Sequence, residues 1–400
     1  MENRKKIALL LPSLSGGGAE RMAGLVSKKL AETNDVYIML FNKEKMPYEY
    51  SGEIIDLDFN AIHKKYKKYG SLIYKILLPF KYREITKRVK KIRETYQIDA
   101  CISFLETSNL LNLLSTNKGK KSILSTRNYR SLRNDNLKER VQNKLIKHTY
   151  SKADLIISLS HGVKTDLVEN FGLDSSKITV IYNMFDVEKI QLLSKEDIDN
   201  EHKEFFSTGE IIIHVGRLFA VKNQSQIINQ FKIVKDSYPN AKLALVGTGP
   251  LEEELKSQTE ALGLTQSVRF VPFTSNPFKY LAKAKIFILN SKHEGFANVI
   301  VEAMICGVPV IATDCLSGPR ELILGSTDYS NMVSATTVCP KGILIPVNSK
   351  NEISAAIKQL LSVPKLRADI IEAAKKDVHN YHFEKISSQW KTEILRVLRS

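Results

Sequence analysis

Two carboxylates, Glu294 and Glu302, stand eight residues apart in the segment Glu294-Gly295-Phe296-Ala297-Asn298-Val299-Ile300-Val301-Glu302-Ala303-Met304. Ionised carboxylates only accept hydrogen bonds, so such a pair suits sugar hydroxyls. The segment follows the apolar run Ile286–Leu289 and reads as a loop entering a helix, with Glu302 about two turns in. Gly295 lets that loop turn tightly, and the N–H groups of Phe296, Ala297 and Asn298 then point at an anion from the helix start. Upstream, His214-Val215-Gly216-Arg217-Leu218 closes another apolar run, and Lys222 follows Arg217 by five residues. Arg grips a diphosphate as a fork and Lys as a point charge. Two solvated basic residues in a loop would look the same. Two glycine turns share the strand-to-helix setting: Leu14-Ser15-Gly16-Gly17-Gly18-Ala19-Glu20-Arg21 and Val246-Gly247-Thr248-Gly249-Pro250. The first departs from the dinucleotide fingerprint GxGxxG, because Arg21 stands where the third Gly belongs.

Such loops need a scaffold that delivers them to one edge. Short apolar runs supply it: Ile7–Leu11, Val36–Leu40, Cys101–Phe104, Ser122–Ser125, Leu155–Ser158 and Ile178–Tyr182 in the first half. Ile211–Val215, Leu243–Val246, Val268–Val271, Ile286–Leu289, Val308–Ala312 and Gly342–Ile345 do so in the second. Unbroken apolar runs suit strands buried on both faces of a parallel sheet. Helical stretches such as Ala19–Ala31, Gln224–Lys235, Pro250–Leu262 and Val299–Cys306 separate them. The alternation predicts two doubly wound α/β domains, which fits 400 residues at about 150–200 per domain. The polar stretch Ser194–Thr208 puts the boundary near 187–209. The expected domains are 1–190, with a basic segment over 62–95, and 205–378, followed by a terminal piece over 379–400. In that piece Ile386, Trp390, Ile394 and Leu398 recur at helical spacing, a stripe for core packing.

Hydrophobic residues are 43% and charged residues 26%, the balance of a soluble globular chain, which excludes disordered and collagen-like classes. Four scattered Cys form no CxxC pair, so neither a disulfide framework nor a zinc ribbon is expected, and the usage fits a reducing cytoplasm. No run approaches the ~20 apolar residues of a membrane span. The net charge of +16 asks for an anionic partner: nucleic acid, a phosphate-bearing substrate or a membrane surface. The charge is concentrated. Between Lys64 and Arg93 there are 12 basic residues and one acidic, around Leu72, Ile73, Ile76, Leu77, Leu78 and Phe80. Basic flanks on a short apolar centre fit an anionic membrane interface, and Lys64, Lys65, Lys67 and Lys68 can also grip a lipid pyrophosphate. The same residues also suit a basic helix pair packed on its sheet. No recognised nucleic-acid module accompanies the patch, so nucleic acid is not the expected partner.

These pieces, in this order, resemble retaining glycosyltransferases of family 4: the GGGAER loop, then Ile181-Tyr182-Asn183 with Asp186, HVGRL with Lys222, the VGTGP turn, and EGFANVIVEAM followed by Gly307-Val308-Pro309-Val310-Ile311. The resemblance implies the GT-B fold, two Rossmann-like domains facing a central cleft, with a last helix that crosses back to the first domain. It implies that Arg217 and Lys222 bind the donor diphosphate and stabilise its departure, beside the amides of Phe296, Ala297 and Asn298. It gives Glu302 to the ribose, Glu294 to the donor sugar, and Gly216 and Gly247 to the donor turns. Gly17 and Gly18, with Gly16, close over phosphates or acceptor. Many members carry a His after a first-domain strand; here Thr126-Arg127-Asn128 follows Ser125, so Arg127 and Asn128 are the acceptor or phosphate candidates. His161, in Ser160-His161-Gly162, reads as a helix-start surface residue. Ser317-Gly318-Pro319-Arg320-Glu321 resembles the N-acetylgalactosaminyl and hexosyl transferases of bacterial lipid-linked glycan assembly and suggests a UDP-sugar.

Asp56-Leu57-Asp58 and Asp197-Ile198-Asp199 both read DxD, a metal–nucleotide pattern of another glycosyltransferase fold, but triplets of this kind arise easily by chance. No metal and no cofactor is expected; the UDP-sugar is a substrate. The expected partners are that donor, a polyprenyl-pyrophosphate-linked glycan and an anionic membrane, with the protein peripheral on the cytoplasmic face. A UDP-sugar epimerase of GT-B shape is the nearest enzyme alternative. A basic nucleic-acid-binding protein is the alternative from another class.

Overall fold

A computed structural model describes residues 4–15, 17–43, 49–68, 70–133 and 136–399, with side chains described throughout except over 70–76. Gly16 and the side chains of Leu72, Ile73 and Ile76 therefore lie outside the described residues. The chain forms two compact units, Met1–Met184 with Glu384–Ser400, and Phe185–Phe383.

The first unit is built on β1 (Lys6–Leu11), β2 (Asp35–Leu40), β3 (Glu53–Asp56), β4 (Ala100–Phe104), β5 (Lys121–Thr126), β6 (Leu155–Ser158) and β7 (Ile178–Val180). They form a parallel seven-stranded sheet in the order β3-β2-β1-β4-β5-β6-β7. The second unit uses β8 (Glu210–Val215), β9 (Ala241–Val246), β10 (Val268–Val271), β11 (Ile286–Leu289), β12 (Val310–Thr313), β13 (Thr337–Cys339) and β14 (Gly342–Ile345). Its order is β10-β9-β8-β11-β12-β14-β13, and β13 runs antiparallel to β14. The unbroken apolar runs are the buried strands: Ile7–Leu11, Ile211–Ile213 and Ile286–Leu289 are all fully covered. The order reverses between β1 and β4 and again between β8 and β11. Open α/β sheets bind ligands outside the carboxyl ends of strands at such reversals.

The core of the first unit joins Ala8, Leu10, Met39 and Cys101 to Ile85 and Val89 of the helix Gly70–Thr95 and to Ile62 of the helix Phe59–Lys67. The basic segment is thus two helices whose inner residues pack on the sheet. Lys64, Lys65, Lys67 and Lys68 are exposed, and Lys65 bridges Glu84 at 2.9 Å. Phe80 remains 57% exposed. The helix Phe383–Arg399 belongs to the first unit from Glu384 onward. Its Ile386, Trp390 and Ile394 are buried, and the Trp390 ring stacks on Phe104 with centroids 5.8 Å apart.

The polar stretch 194–208 is not a linker. It carries the helix Asn200–Ser207, whose His202, Phe205 and Phe206 are buried, and Asp199 pairs with Lys279 of the second unit at 2.6 Å. The chain passes between units at Met184 and Phe185 instead. Two strands escape the apolar-run reading. β3 and β13 are edge strands with exposed residues, Glu53 and Asp56 in one and Thr337 and Val338 in the other. An edge strand needs fewer apolar side chains, so its sequence carries a weaker signal.

Candidate active site

At the carboxyl edge of the second sheet, the next-to-last residue of β8 is His214, which is fully buried. Burial pushes its pKa down to about 4, against the hydrogen bond to the Ile288 carbonyl. The neutral ring donates from Nδ1 to that carbonyl at 2.9 Å, and its Nε2 accepts from the Gln224 amide at 3.2 Å. Gln224 also donates to the Arg217 carbonyl at 2.9 Å. His214 therefore ties β8 to β11 and holds the turn that carries Arg217. That turn interlocks with the next. Gly216 N–H donates to Val246 O at 2.9 Å and Leu218 N–H to Thr248 O at 3.0 Å. Gly247 sits at φ +136°, and a Cβ there would collide with the Gly216 carbonyl. The close approach of two backbones requires glycine at this point.

Arg217 is exposed, its guanidinium 5.0 Å from the Phe219 ring centroid. Lys222 closes a single 3-10 turn, Ala220–Lys222. Its ammonium forms an ion pair with Glu294, whose carboxylate also accepts from Ser291 Oγ at 2.6 Å. The two side chains are 19% and 11% exposed, so the pair is shielded yet reachable. The structure thus joins two residues that the sequence assigns to different parts of a donor.

The Glu294 loop is braced from behind. Ser317 Oγ donates to the Gly295 carbonyl at 2.5 Å. Gly318, at φ +86°, packs where a Cβ would collide with the Phe296 carbonyl. Arg320 fixes this brace through a buried two-pronged contact with Asp314, at 3.1 and 2.6 Å. Ala297 takes a left-handed conformation, φ 68°, just before the helix Asn298–Ile305. A non-glycine residue held there stores strain, which cores tolerate mostly at functional loops. Phe296 and Ala297 are buried, and Asn298 and Glu302 are half-buried on that loop and helix. His214, Gln224, Ser291 and Arg320 hold the site through contacts that no spacing in the sequence announces.

The first unit presents a different cluster at its own carboxyl edge. Gly17 caps the helix Gly18–Ala31, and Glu20 lies in its first turn. Burial raises the Glu20 pKa, opposed by a hydrogen bond to its own N–H and by Arg127. Arg127 follows β5 and is only 6% exposed. Its Nη2 donates to Asn183 Oδ1, while Nη1 has no hydrogen-bond partner among the described residues. Burial pulls its pKa down and the Glu20 carboxylate acts the other way. Asn128 donates to Glu106 at 3.1 Å. His161 opens the helix His161–Glu169 and lies edge-on to Tyr182, 6.2 Å between centroids.

The DxD triplets serve the fold. Asp56 accepts from the Asp58 N–H at 2.7 Å, and Asp199 is held by Lys279 and by the Tyr280 hydroxyl, both at 2.6 Å. Among the described residues, no three His, Cys, Asp or Glu side chains gather as metal ligands.

Two doubly wound sheets, the second carrying Arg217, Lys222 and Glu294 on loops at its carboxyl edge, are the architecture of GT-B glycosyltransferases. Residues 16–189 match the family model described as Glycosyltransferase Family 4, and residues 195–377 match Glycosyl transferases group 1; the chain belongs to this glycosyltransferase family. It is 30% identical over 376 residues to the N-acetylgalactosamine-N,N'-diacetylbacillosaminyl-diphospho-undecaprenol 4-alpha-N-acetylgalactosaminyltransferase of Campylobacter jejuni, covering 93% of this chain and 94% of that one. A second Campylobacter jejuni relative is the GalNAc-alpha-(1->4)-GalNAc-alpha-(1->3)-diNAcBac-PP-undecaprenol alpha-1,4-N-acetyl-D-galactosaminyltransferase, 23% identical over 96% of this chain and 97% of that one. Among solved structures, Anabaena HepE in complex with UDP superposes with a TM-score of 0.73 at 19% identity, over 98% of this chain and 100% of that one.

Proposed function

We propose that this enzyme moves a hexose or N-acetylhexosamine from a UDP-sugar to a polyprenyl-pyrophosphate-linked glycan, with retention at the anomeric carbon. The Lys222–Glu294 pair carries the reading: a shielded cation beside a shielded carboxylate, at the loop where a helix begins. A nucleoside diphosphate leaves as an anion, so its departure needs positioned positive charge rather than a strong acid. Lys222 and Arg217 supply that charge, and the backbone of Phe296, Ala297 and Asn298 adds donors. A diphosphate competes with Glu294 for Lys222, which turns the carboxylate toward the sugar hydroxyls. Glu302 takes the ribose. Gly17 and Gly18 close over phosphates or acceptor, near Arg127 and Asn128. The Campylobacter relatives named for diphospho-undecaprenol glycans support the acceptor class, and the UDP bound to HepE supports the donor. Among the described residues no helix is long and apolar enough to cross a membrane. The proposed route to a lipid-linked acceptor is surface contact on the cytoplasmic face, for which the exposed Lys64, Lys65, Lys67 and Lys68 are suited.

A panel of UDP-sugars, assayed with an undecaprenyl-diphosphate-linked glycan, tests this directly. Transfer from one or two donors is expected, with the α-anomer of the donor preserved in the product by NMR. Conversion of the UDP-sugar with no acceptor present would replace the proposal with an epimerase.

A further inference from the structure

The helix Leu137–Thr149, which follows β5, has Ile146 as its one buried residue. Leu137 is 78% exposed, Val141 47% and Leu145 43%. Four-residue spacing lays these three in one strip, about 80° wide, opposite Ile146. Lys138 flanks the strip on one side and Arg140, Lys144 and Lys147 on the other. Glu139, the one acidic residue of the helix, falls on the far side.

The helix is firmly held from within. Arg130 donates to Asn143 at 2.7 Å and to Gln142 at 3.1 Å, and the Arg130 N–H is anchored on Asp166 at 2.5 Å. Asn136 caps it by accepting from the Glu139 N–H at 3.0 Å. The strip is therefore presented on a rigid element, and no part of the transfer chemistry uses it. Beside it opens a pocket of about 460 Å³, lined by Arg140, Asn143, Lys144 and Lys147 of the same helix and by Ser131, Asn170 and Phe171. The helix also lies in one layer with the basic segment, because Glu106–Leu114 packs against both it and Gly70–Thr95.

Isolated exposed apolar residues are ordinary, but a rigid row of them with Lys138 on one flank and Arg140, Lys144 and Lys147 on the other has the chemistry that docks on an anionic bilayer surface. We infer that the helix Leu137–Thr149 docks on an anionic phospholipid membrane: the strip enters the headgroup–acyl boundary, and the adjoining cationic pocket takes a lipid phosphate. The inference rests on the proposed lipid-linked acceptor and adds a second membrane contact to that of the basic segment.

Co-sedimentation of the full chain with phosphatidylglycerol/phosphatidylcholine vesicles tests it. The triple variant Leu137→Gln, Val141→Gln, Leu145→Gln is expected to lower the partition coefficient about tenfold. Lys138→Glu with Lys144→Glu and Lys147→Glu should weaken the preference for phosphatidylglycerol severalfold, with Lys64, Lys65, Lys67 and Lys68 left to supply the rest. Val141→Trp gives an independent readout, since its fluorescence should shift to the blue when vesicles are added while Trp390 stays buried. Unchanged partitioning of the triple variant, or no shift at position 141, overturns the inference. So does loss of self-association in sedimentation with vesicle binding intact, which would give the strip to a second copy of the chain. Transfer to a water-soluble, short-chain diphosphate-linked acceptor is measured alongside. If that transfer is normal while the vesicle arms fail, the docking surface is wrong and the proposed reaction stands; if it is absent in wild type, the reaction itself is wrong.

Discussion

The two units share one strand order around the reversal, yet they treat charge at their carboxyl edges in opposite ways. In the second unit the cation is matched: Lys222 rests on Glu294, and both remain reachable from solvent. In the first unit Arg127 is nearly sealed, satisfied on one side by Asn183 and unpartnered at Nη1 among the described residues. A shielded but reachable ion pair exchanges readily for another anion, because the desolvation of its two groups offsets much of their mutual attraction. A buried guanidinium with an unmet donor is costly unless something supplies the missing acceptor. The same scaffold thus holds one charge ready to be released and another ready to be completed.

The comparison breaks most visibly at the matched pair. Lys222→Ala and Glu294→Ala are each expected to lower kcat by about 10²–10³, as removal of a preorganised charge does. Circular dichroism should show an intact fold, and near-normal turnover in either variant would remove that residue from the chemistry. Next comes the sealed charge. Arg127→Met keeps the bulk and deletes the donor, so KM for the lipid-linked acceptor should rise about 10- to 100-fold with kcat little changed. Thermal stability should hold or increase, since replacing a buried charge by an apolar group is often neutral or better. A stability loss with no change in KM would mark Arg127 as a purely structural group.

The smallest effect concerns His214. The unfolded chain binds a proton there near pH 6.5, and the folded chain only near pH 4. Folding stability from this group is therefore complete above pH 6.5 and declines as pH falls through that window. Between pH 7 and pH 5 the second unit should lose about 1–2 kcal/mol through it. His214→Asn should flatten that part of the urea-denaturation pH profile. An unchanged slope would show that the ring already titrates normally.

Much of this was legible in the residues. The buried strands are visible because a sheet covered on both faces needs unbroken apolar runs, as in Ile7–Leu11 and Ile286–Leu289. The edge strands Glu53–Asp56 and Thr337–Cys339 are not, because their exposed residues carry no such demand. The stretch 194–208 misleads for the converse reason. Its charges coat the outside of a helix whose inner face, Phe205 and Phe206, is apolar. At the candidate site, Arg217, Lys222, Glu294 and the glycine turns were marked by residue type and setting. The pairing of Lys222 with Glu294, 72 positions apart, depends on two loops meeting, and pattern within one loop cannot express it. The bracing by His214, Gln224 and Arg320 is hidden in the same way.

The chain leaves the first unit at Met184 and returns to it at Glu384. A ribosome must therefore synthesise the whole second unit before it can release the helix that seats Trp390 on Phe104. Until then the nascent first unit exposes the apolar surface that Ile386, Trp390 and Ile394 later cover. The protein finishes its first unit last, and a chain cut short by a single late stop codon would be impaired in the unit made earliest.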